Sequence, residues 1–138
     1  MKPFEVLEHT ADVALLARGR DLCELITSAT AGMISILFSG EAPVAEQWLD
    51  RDVEAEAADL LVHHALRELL YLMEDEGLAP VSVEVTACSD SAATMRIGVI
   101  PREAAEPLLG APVKAVTRHA LGIDQDGEWL TTRIVFDV

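Results

Sequence analysis

The chain has 138 residues, 51% of them hydrophobic, and carries a formal net charge of −14. This length and apolar fraction suit one domain with its own core and exclude an intrinsically disordered chain. With 10 basic against 24 acidic residues, strong direct binding of RNA or DNA is not expected, because such binding needs Lys and Arg to neutralise phosphates. An acidic surface suits a basic protein partner or a cation, and it equally serves solubility.

The first third of the chain predicts two short strands and then a helix. Residues 4–7 and 13–17 have strand composition, with a turn after each. Asp21 followed three residues later by Glu24 forms a capping-box pattern. Apolar residues then recur at helical spacing across 22–37, which predicts an amphipathic helix.

The middle third predicts a strand, a helix and a hairpin. Residues 48–57 alternate loosely and indicate an irregular strand, and 58–76 carry a second strong apolar stripe. Gly77 is the expected stop of that helix. Residues 81–87 and 92–100 alternate apolar and polar side chains around a polar turn, which predicts two paired strands.

The last third predicts mainly strands. A short helical turn is expected within 102–109, a strand over 113–121, an Asp-Gly turn at 124–127 and a closing strand over 128–138. Because the strands outnumber the helices and follow one another as hairpins, the predicted fold class is α+β. We expect one compact domain over residues 1–138, a mostly antiparallel sheet with two main amphipathic helices packed on it.

Cys23 and Cys88 are the only cysteines, and their spacing matches no metal motif. Two thiols in a reducing compartment are therefore the expectation. The N-terminus lacks the pattern of a signal peptide, and no apolar run approaches the length of a membrane span. These observations predict a cytoplasmic protein that does not engage a membrane.

Carboxylates near both ends of the chain suggest a metal site. Asp12 lies in a loop that also carries His9 and Thr10, and Asp137 precedes Val138 with its terminal carboxylate. If the fold brings the two ends together, the negative groups repel one another unless a cation lies between them. Oxygen ligands favour a hard ion such as calcium or magnesium. Alternatively, Asp12 only stabilises a turn through side-chain hydrogen bonds.

Lys114 is one of only two lysines and lies in the predicted strand at 113–121. Thr117 and His119 share one face of that strand by period two, so they could line a polar pocket, whereas Lys114 points to the other face. His63 and His64 are adjacent on the second helix and point in different directions, so they are expected to be surface or boundary residues rather than paired ligands.

Four parts of the sequence carry a resemblance to a known family. They are His9-Thr10-Ala11-Asp12-Val13, Glu68-Leu69-Leu70-Tyr71-Leu72, Val113-Lys114-Ala115-Val116-Thr117 with His119, and the closing Asp137. Together they resemble the archease family over nearly the whole chain, and they occur in the family's order.

The resemblance implies a protein cofactor rather than an enzyme. Archeases activate the RtcB-type RNA ligase of tRNA splicing and RNA repair, promoting its guanylylation and its multiple turnover. By the same resemblance, Asp12, Asp137 and Val138 would bind a divalent metal, with calcium as the expected ion. Lys114 would be an activity residue that supports the partner ligase.

The chain departs from the family pattern at three places, all of which concern the partner surface. Ala65 stands where the family carries an aromatic residue, Arg118 stands where it carries tyrosine, and the 101–112 loop lacks an expected acidic-plus-histidine pattern. Two other functions fit the residues. One is a small metal-dependent phosphohydrolase in which Lys114 holds the phosphate. The other is an acidic, chaperone-like interaction domain without a metal.

Overall fold

A computed structural model describes residues 2–8, 12–119 and 121–138, with the backbone alone at Glu8. In these ranges the chain forms the following elements, in order: β1 (Phe4–Glu8), β2 (Asp12–Gly19), α1 (Leu22–Leu37), β3 (Gln47–Glu54), α2 (Ala58–Asp75), β4 (Leu78–Cys88), β5 (Ala92–Pro101), α3 (Arg102–Ala105), a 3₁₀ turn (Glu106–Leu108), β6 (Ala115–Val116), β7 (Ile123–Asp126) and β8 (Trp129–Asp137).

The first sheet is organised around β8, the last strand. Its strands follow the order β1-β2-β8-β6, β7 also pairs with β8, and every pairing is antiparallel. The pairing of β2 with β8 runs from Asp12 opposite Asp137 to Gly19 opposite Leu130. The second strand and the last strand of the chain therefore lie side by side within this sheet, and β1 lies outside β2.

The second sheet contains three antiparallel strands in the order β3-β5-β4. Its β4–β5 pair is the hairpin that the alternation of apolar residues predicts. Helix α1 contacts β2 of the first sheet and β4 of the second, and α2 contacts α1, β3, β4 and β6. The two helices thus join both sheets around one hydrophobic core, which confirms the α+β prediction. No helix in the described ranges is both long and apolar enough to cross a membrane.

Helix α1 begins where its sequence predicts and packs closely on β2. The Asp21 carboxylate accepts a hydrogen bond from the Glu24 N–H at 2.8 Å, which satisfies one of the free donors of the first turn. A Cβ atom at Gly32 would lie 2.6 Å from the side chain of Leu15. A larger residue at this position would have to displace the Leu15 side chain, so Gly32 lets α1 pack closely on β2.

Two adjacent histidines attach α2 to the two sheets. The ring of His63 is 4% exposed, and its Nε2 lies 3.0 Å from the carbonyl oxygen of Val116 in β6. The Nδ1 of His64 lies 2.8 Å from the carbonyl oxygen of Glu54 in β3. Because a carbonyl oxygen can only accept, each nitrogen donates. The expectation of a surface or boundary position is wrong for His63, since β6 covers this side of the helix.

The predicted strand at 113–121 is much shorter than its sequence pattern indicates. Only Ala115–Val116 forms strand β6. The Thr117 N–H still donates to the Val135 carbonyl oxygen at 2.9 Å, but the Thr117 hydroxyl then accepts from the His119 N–H at 3.2 Å. This local bond turns the chain away from the sheet, so Thr117 and His119 do not share a strand face.

The closing hairpin lies slightly later than predicted. Residues Ile123–Asp126 form β7, and the turn comes at Gly127 and Glu128. Gly127 has a φ of 63°, a left-handed conformation that glycine adopts without steric cost. The Asp-Gly pair therefore marks the hairpin correctly, whereas Asp124 and Gln125 belong to the strand before it.

Cys23 and Cys88 form a disulfide, which corrects the expectation of two thiols. They are 65 residues apart in sequence, but their Cα atoms lie 5.8 Å apart because the start of α1 packs beside the end of β4. The bond therefore joins the helix that lies on the first sheet to the second sheet.

Replacing both Cys23 and Cys88 by alanine is expected to lower the free energy of unfolding by about 2–4 kcal/mol, because the disulfide restricts the unfolded chain. Urea denaturation measures the change. Dithiothreitol should lower the melting temperature of the wild type and leave that of the double variant unchanged. Two titratable thiols in the untreated wild type would contradict the assignment.

The buried ring of His63 makes the stability of the fold depend on pH. Burial lowers the pKa of His63 below its ordinary value of 6.5, and the nearby charges of Arg118 and Arg67 lower it further. The folded chain then binds fewer protons than the unfolded chain, so this stabilisation is complete above pH 6.5 and is lost as the pH falls through the lowered pKa.

We therefore expect the free energy of unfolding to fall more steeply in the wild type than in His63→Leu between about pH 7 and about pH 5. Urea denaturation at a series of pH values measures both profiles. Parallel profiles would show that His63 does not titrate differently in the folded and unfolded states.

Candidate functional site

The carboxylate residues predicted to bind metal lie opposite each other at one end of β2 and β8, two inner strands of the first sheet. Asp12 is the first residue of β2, Asp137 is the last residue of β8, and the two are direct cross-strand partners. On its other side Asp137 is paired with Ala115 of β6. The fold thus places Asp137 between the start of β2 on one side and the residue that follows Lys114 on the other.

The opposed positions of Asp12 and Asp137 determine what these strand ends can bind. Directly opposite residues of an antiparallel pair project from the same face, with their Cβ atoms about 4.5–5.5 Å apart. Two like charges at that separation repel each other, and a cation that both carboxylates can reach removes the repulsion. The donor atoms are carboxylate oxygens, which suit a hard divalent ion such as calcium. Metal binding itself stays a prediction.

Further donors would complete the coordination shell. Val138 follows Asp137 directly and is half-buried, so its main chain is the nearest further source of oxygen in the sequence. In the part of the chain that the structure describes, no group of three or more His, Cys, Asp or Glu could hold a metal ion. A site here would therefore combine two side-chain carboxylates with main-chain oxygen and water. His9 and Thr10, which the sequence places in the loop before Asp12, lie outside the described residues.

Lys114 lies directly before β6, and its backbone is fixed to the same strand end. Its N–H donates to the Asp137 carbonyl oxygen at 2.7 Å, and the residue is exposed. The structure therefore joins three of the predicted site residues through backbone pairing: Asp12, Asp137 and Lys114. We expected Lys114 to face away from Thr117 and His119 on one strand. That expectation does not apply, because all three residues lie outside β6.

His63 is a residue of this region that the sequence interpretation missed. Its bond to the Val116 carbonyl oxygen attaches α2 to the two-residue strand that follows Lys114. One signal was present in the sequence, because His63 is three residues before the buried Leu66 and so lies on the apolar face of the helix. What the sequence does not show is that β6 covers this part of that face.

The 68–72 stretch of α2 attaches the helix to the second sheet. The Arg51 side chain on β3 donates to Glu68 at 3.3 Å and to the two carboxylate oxygens of Glu76 at 2.7 and 2.8 Å. The hydrogen bond from Arg51 lowers the pKa of Glu76. Tyr71 is exposed between these contacts, so this stretch contributes both to the core and to the surface.

Comparison with known proteins identifies a family over nearly the whole chain. The profile of the archease protein family (MTH1598/TM1083) matches residues 4–138. The protein archease of Pyrococcus furiosus is 28% identical over 135 residues, which cover 94% of this chain and 95% of that protein.

Two solved structures share the fold. The solution structure of protein 1598 from Methanobacterium thermoautotrophicum superposes with a TM-score of 0.78 at 25% identity, covering 100% of both chains. The crystal structure of a Thermotoga maritima protein, described as an archease and possible chaperone, gives a TM-score of 0.67 at 23% identity and covers 96% of this chain and 94% of that one. On the match over residues 4–138, this chain belongs to the archease family.

Proposed function

We propose that this protein is a non-enzymatic activator of an RtcB-type RNA ligase, promoting the ligase's guanylylation and its multiple turnover. Family membership supports the proposal at the level of the protein class. The observation that carries it in the structure is the position of Asp137, which is paired with Asp12 on one side and with the segment after Lys114 on the other. These charged residues lie close together in the fold, so a partner protein can contact all of them at one place.

In this proposal Asp12, Asp137 and Val138 hold one divalent cation, with calcium as the preferred ion. The opposed carboxylates supply two hard donors, and the adjacent main-chain oxygens of Val138 supply more. When bound, the cation would neutralise the two carboxylates and present positive charge at these strand ends. The strand pairing holds the ligands in place, so the residues need little rearrangement to bind.

Lys114 would supply the second functional group. Its ammonium is a compact donor on a flexible stem, a type of group that binds phosphoryl oxygens in many proteins. Because the Lys114 N–H is bonded to the Asp137 carbonyl oxygen, the start of that stem is fixed beside the proposed metal ligands. We infer that Lys114 reaches into the ligase and supports the reaction of its nucleotide there.

The net charge of −14 suits this role. A ligase that handles RNA and nucleotide presents basic surface, so an acidic activator is attracted to it over long range. The same charge keeps the activator from competing for the RNA backbone. We infer binding to the ligase protein, without strong direct binding to nucleic acid and without a membrane.

A chaperone-like role is the second candidate, because the Thermotoga maritima structure is described as that of a possible chaperone. That role needs no metal and no particular ligase. It predicts that the protein suppresses the aggregation of unrelated proteins, and that calcium does not change the extent of this suppression.

Calcium binding should reverse the stability effect of removing one carboxylate. Without divalent ions, Asp137→Asn is expected to stabilise the fold by about 0.2–1 kcal/mol, because it removes the repulsion with Asp12. With calcium, the wild type should become the more stable protein, and its calcium affinity should exceed that of the variant by about tenfold or more. Thermal unfolding and calorimetric titration measure the two effects.

Asp124→Asn is the matched control, since it removes an exposed carboxylate from β7 of the same sheet. It should leave the calcium affinity unchanged. Absence of binding heat in the wild type, or equal heat in Asp137→Asn, would rule out the proposed site.

Replacing Lys114 should remove activation without removing metal binding. Lys114→Ala is expected to lower the stimulation of multiple-turnover RNA ligation about tenfold or more, which equals about 1.4 kcal/mol of transition-state stabilisation. Lys2→Ala replaces the only other lysine and should behave as the wild type. A purified RtcB-type ligase is assayed with each protein over many turnovers. If Lys114→Ala stimulated the ligase as strongly as the wild type does, the proposed role of Lys114 would be refuted. Release of phosphate by this protein without the ligase would favour the alternative of a metal-dependent phosphohydrolase.

A further inference from the structure

Strand β6 is held weakly by its own sheet. It contains only Ala115–Val116, and its flanking bonds are those from the Lys114 N–H to Asp137 and from the Thr117 N–H to Val135. Both bonds, like the pairing itself, are made to β8 on one side. So short a ladder contributes little resistance to local opening.

On its other side β6 packs against α2, with the Val116 side chain buried in the core and a buried hydrogen bond to the helix. The Val116 carbonyl oxygen accepts from the Nε2 of His63, on a ring that is 4% exposed. The Nδ1 of the same ring has no hydrogen-bond partner in the part of the chain that the structure describes. Burying an unpaired nitrogen costs free energy. An apolar side chain would avoid that cost, so the contribution particular to histidine here is its bond to Val116.

The neighbouring residue, His64, offers a comparison within the same helix. His64 makes the same kind of bond, from a ring nitrogen to a backbone carbonyl oxygen, at the similar distance of 2.8 Å. Its acceptor, however, is Glu54 of β3 in the second sheet. The His63 bond is buried and the His64 bond is exposed, and of the two histidines it is His63 that bonds to the strand that follows Lys114.

We propose that His63 is a positioning residue for activation: its bond to Val116 holds the backbone of 114–117 against α2 and so fixes Lys114 relative to Asp137. This inference rests on the proposed function for the role of Lys114, whereas the mechanical part concerns this chain alone. His63 acts through Lys114 and touches no reacting group itself.

The test compares three variants: His63→Leu, His63→Gln and His64→Leu. In His63→Leu, the amides of Lys114 and Thr117 should exchange with deuterium at least about tenfold faster, while the amides of the β2–β8 ladder change no more than in His64→Leu. The maximal rate of ligation at saturating protein should fall several-fold, and the concentration that gives half of the effect should stay the same. His63→Gln retains an N–H donor on a flexible stem and should recover most of both effects.

Several outcomes would overturn the inference. Unchanged exchange at Lys114 and Thr117 in His63→Leu would remove its physical basis, and equal effects of His64→Leu would show general destabilisation instead of positioning. Should His63→Leu not fold, His63→Met provides a second apolar variant with a more adaptable side chain. A wild type that fails to stimulate any RtcB-type ligase would refute the proposed function, and the exchange experiment would still decide whether the bond holds β6.

Discussion

The antiparallel pairing of β2 with β8 is the interaction on which the rest of the structure depends. Its register is fixed by the core, because Leu15 and Ile134 are opposite each other and both are buried. A shift by one residue would move one strand's side chains off the core face and would cost the packing that they make there. The same shift would separate Asp12 from Asp137. Apolar packing in the middle of the ladder therefore determines which charged residues meet at its end.

This arrangement explains how the fold tolerates two opposed carboxylates. The repulsion between Asp12 and Asp137 acts at the end of the ladder, where Asp137 is exposed and water weakens the interaction. The buried part of the ladder outweighs it. In the proposed function, a cation bound between the two carboxylates would remove this repulsion, so the proposed affinity for the cation and the instability of the free strand ends would have one cause.

Local sequence patterns predicted most of the fold. The capping pair Asp21 and Glu24 and the apolar stripes of α1 and α2 depend only on neighbours in sequence, as do the paired strands β4 and β5. The prediction failed where contacts between distant residues decide. Residues 113–121 alternate like a strand, yet the bond between Thr117 and His119 ends the pairing after two residues. Cys23 and Cys88 are 65 residues apart in sequence, so no local pattern reveals that they are close in space.

The candidate site was predictable to a similar extent. Asp12, Asp137 and Lys114 could be chosen from their chemistry and from a family resemblance. The sequence did not show that they are close in space, which depended on the fold bringing the two ends of the chain together. The structure shows that the pairing of β2, β8 and β6 brings them to one strand end. The contribution of His63 could not be chosen in the same way, because its acceptor is a backbone oxygen, which has no sequence signature.

The two sides of Asp137 are held by different means, and this difference suits an activator. Toward Asp12 the ladder has eight residue pairs and a buried core, so the proposed ligands keep their geometry when the protein is free. Toward Lys114 the ladder has two pairs, supported by the His63 bond to Val116. Segments with few ladder bonds open at a lower free-energy cost than the core. In the proposed function, the long ladder would keep the metal ligands rigid, while the short ladder and the His63 bond would set how far a partner can adjust Lys114 on contact.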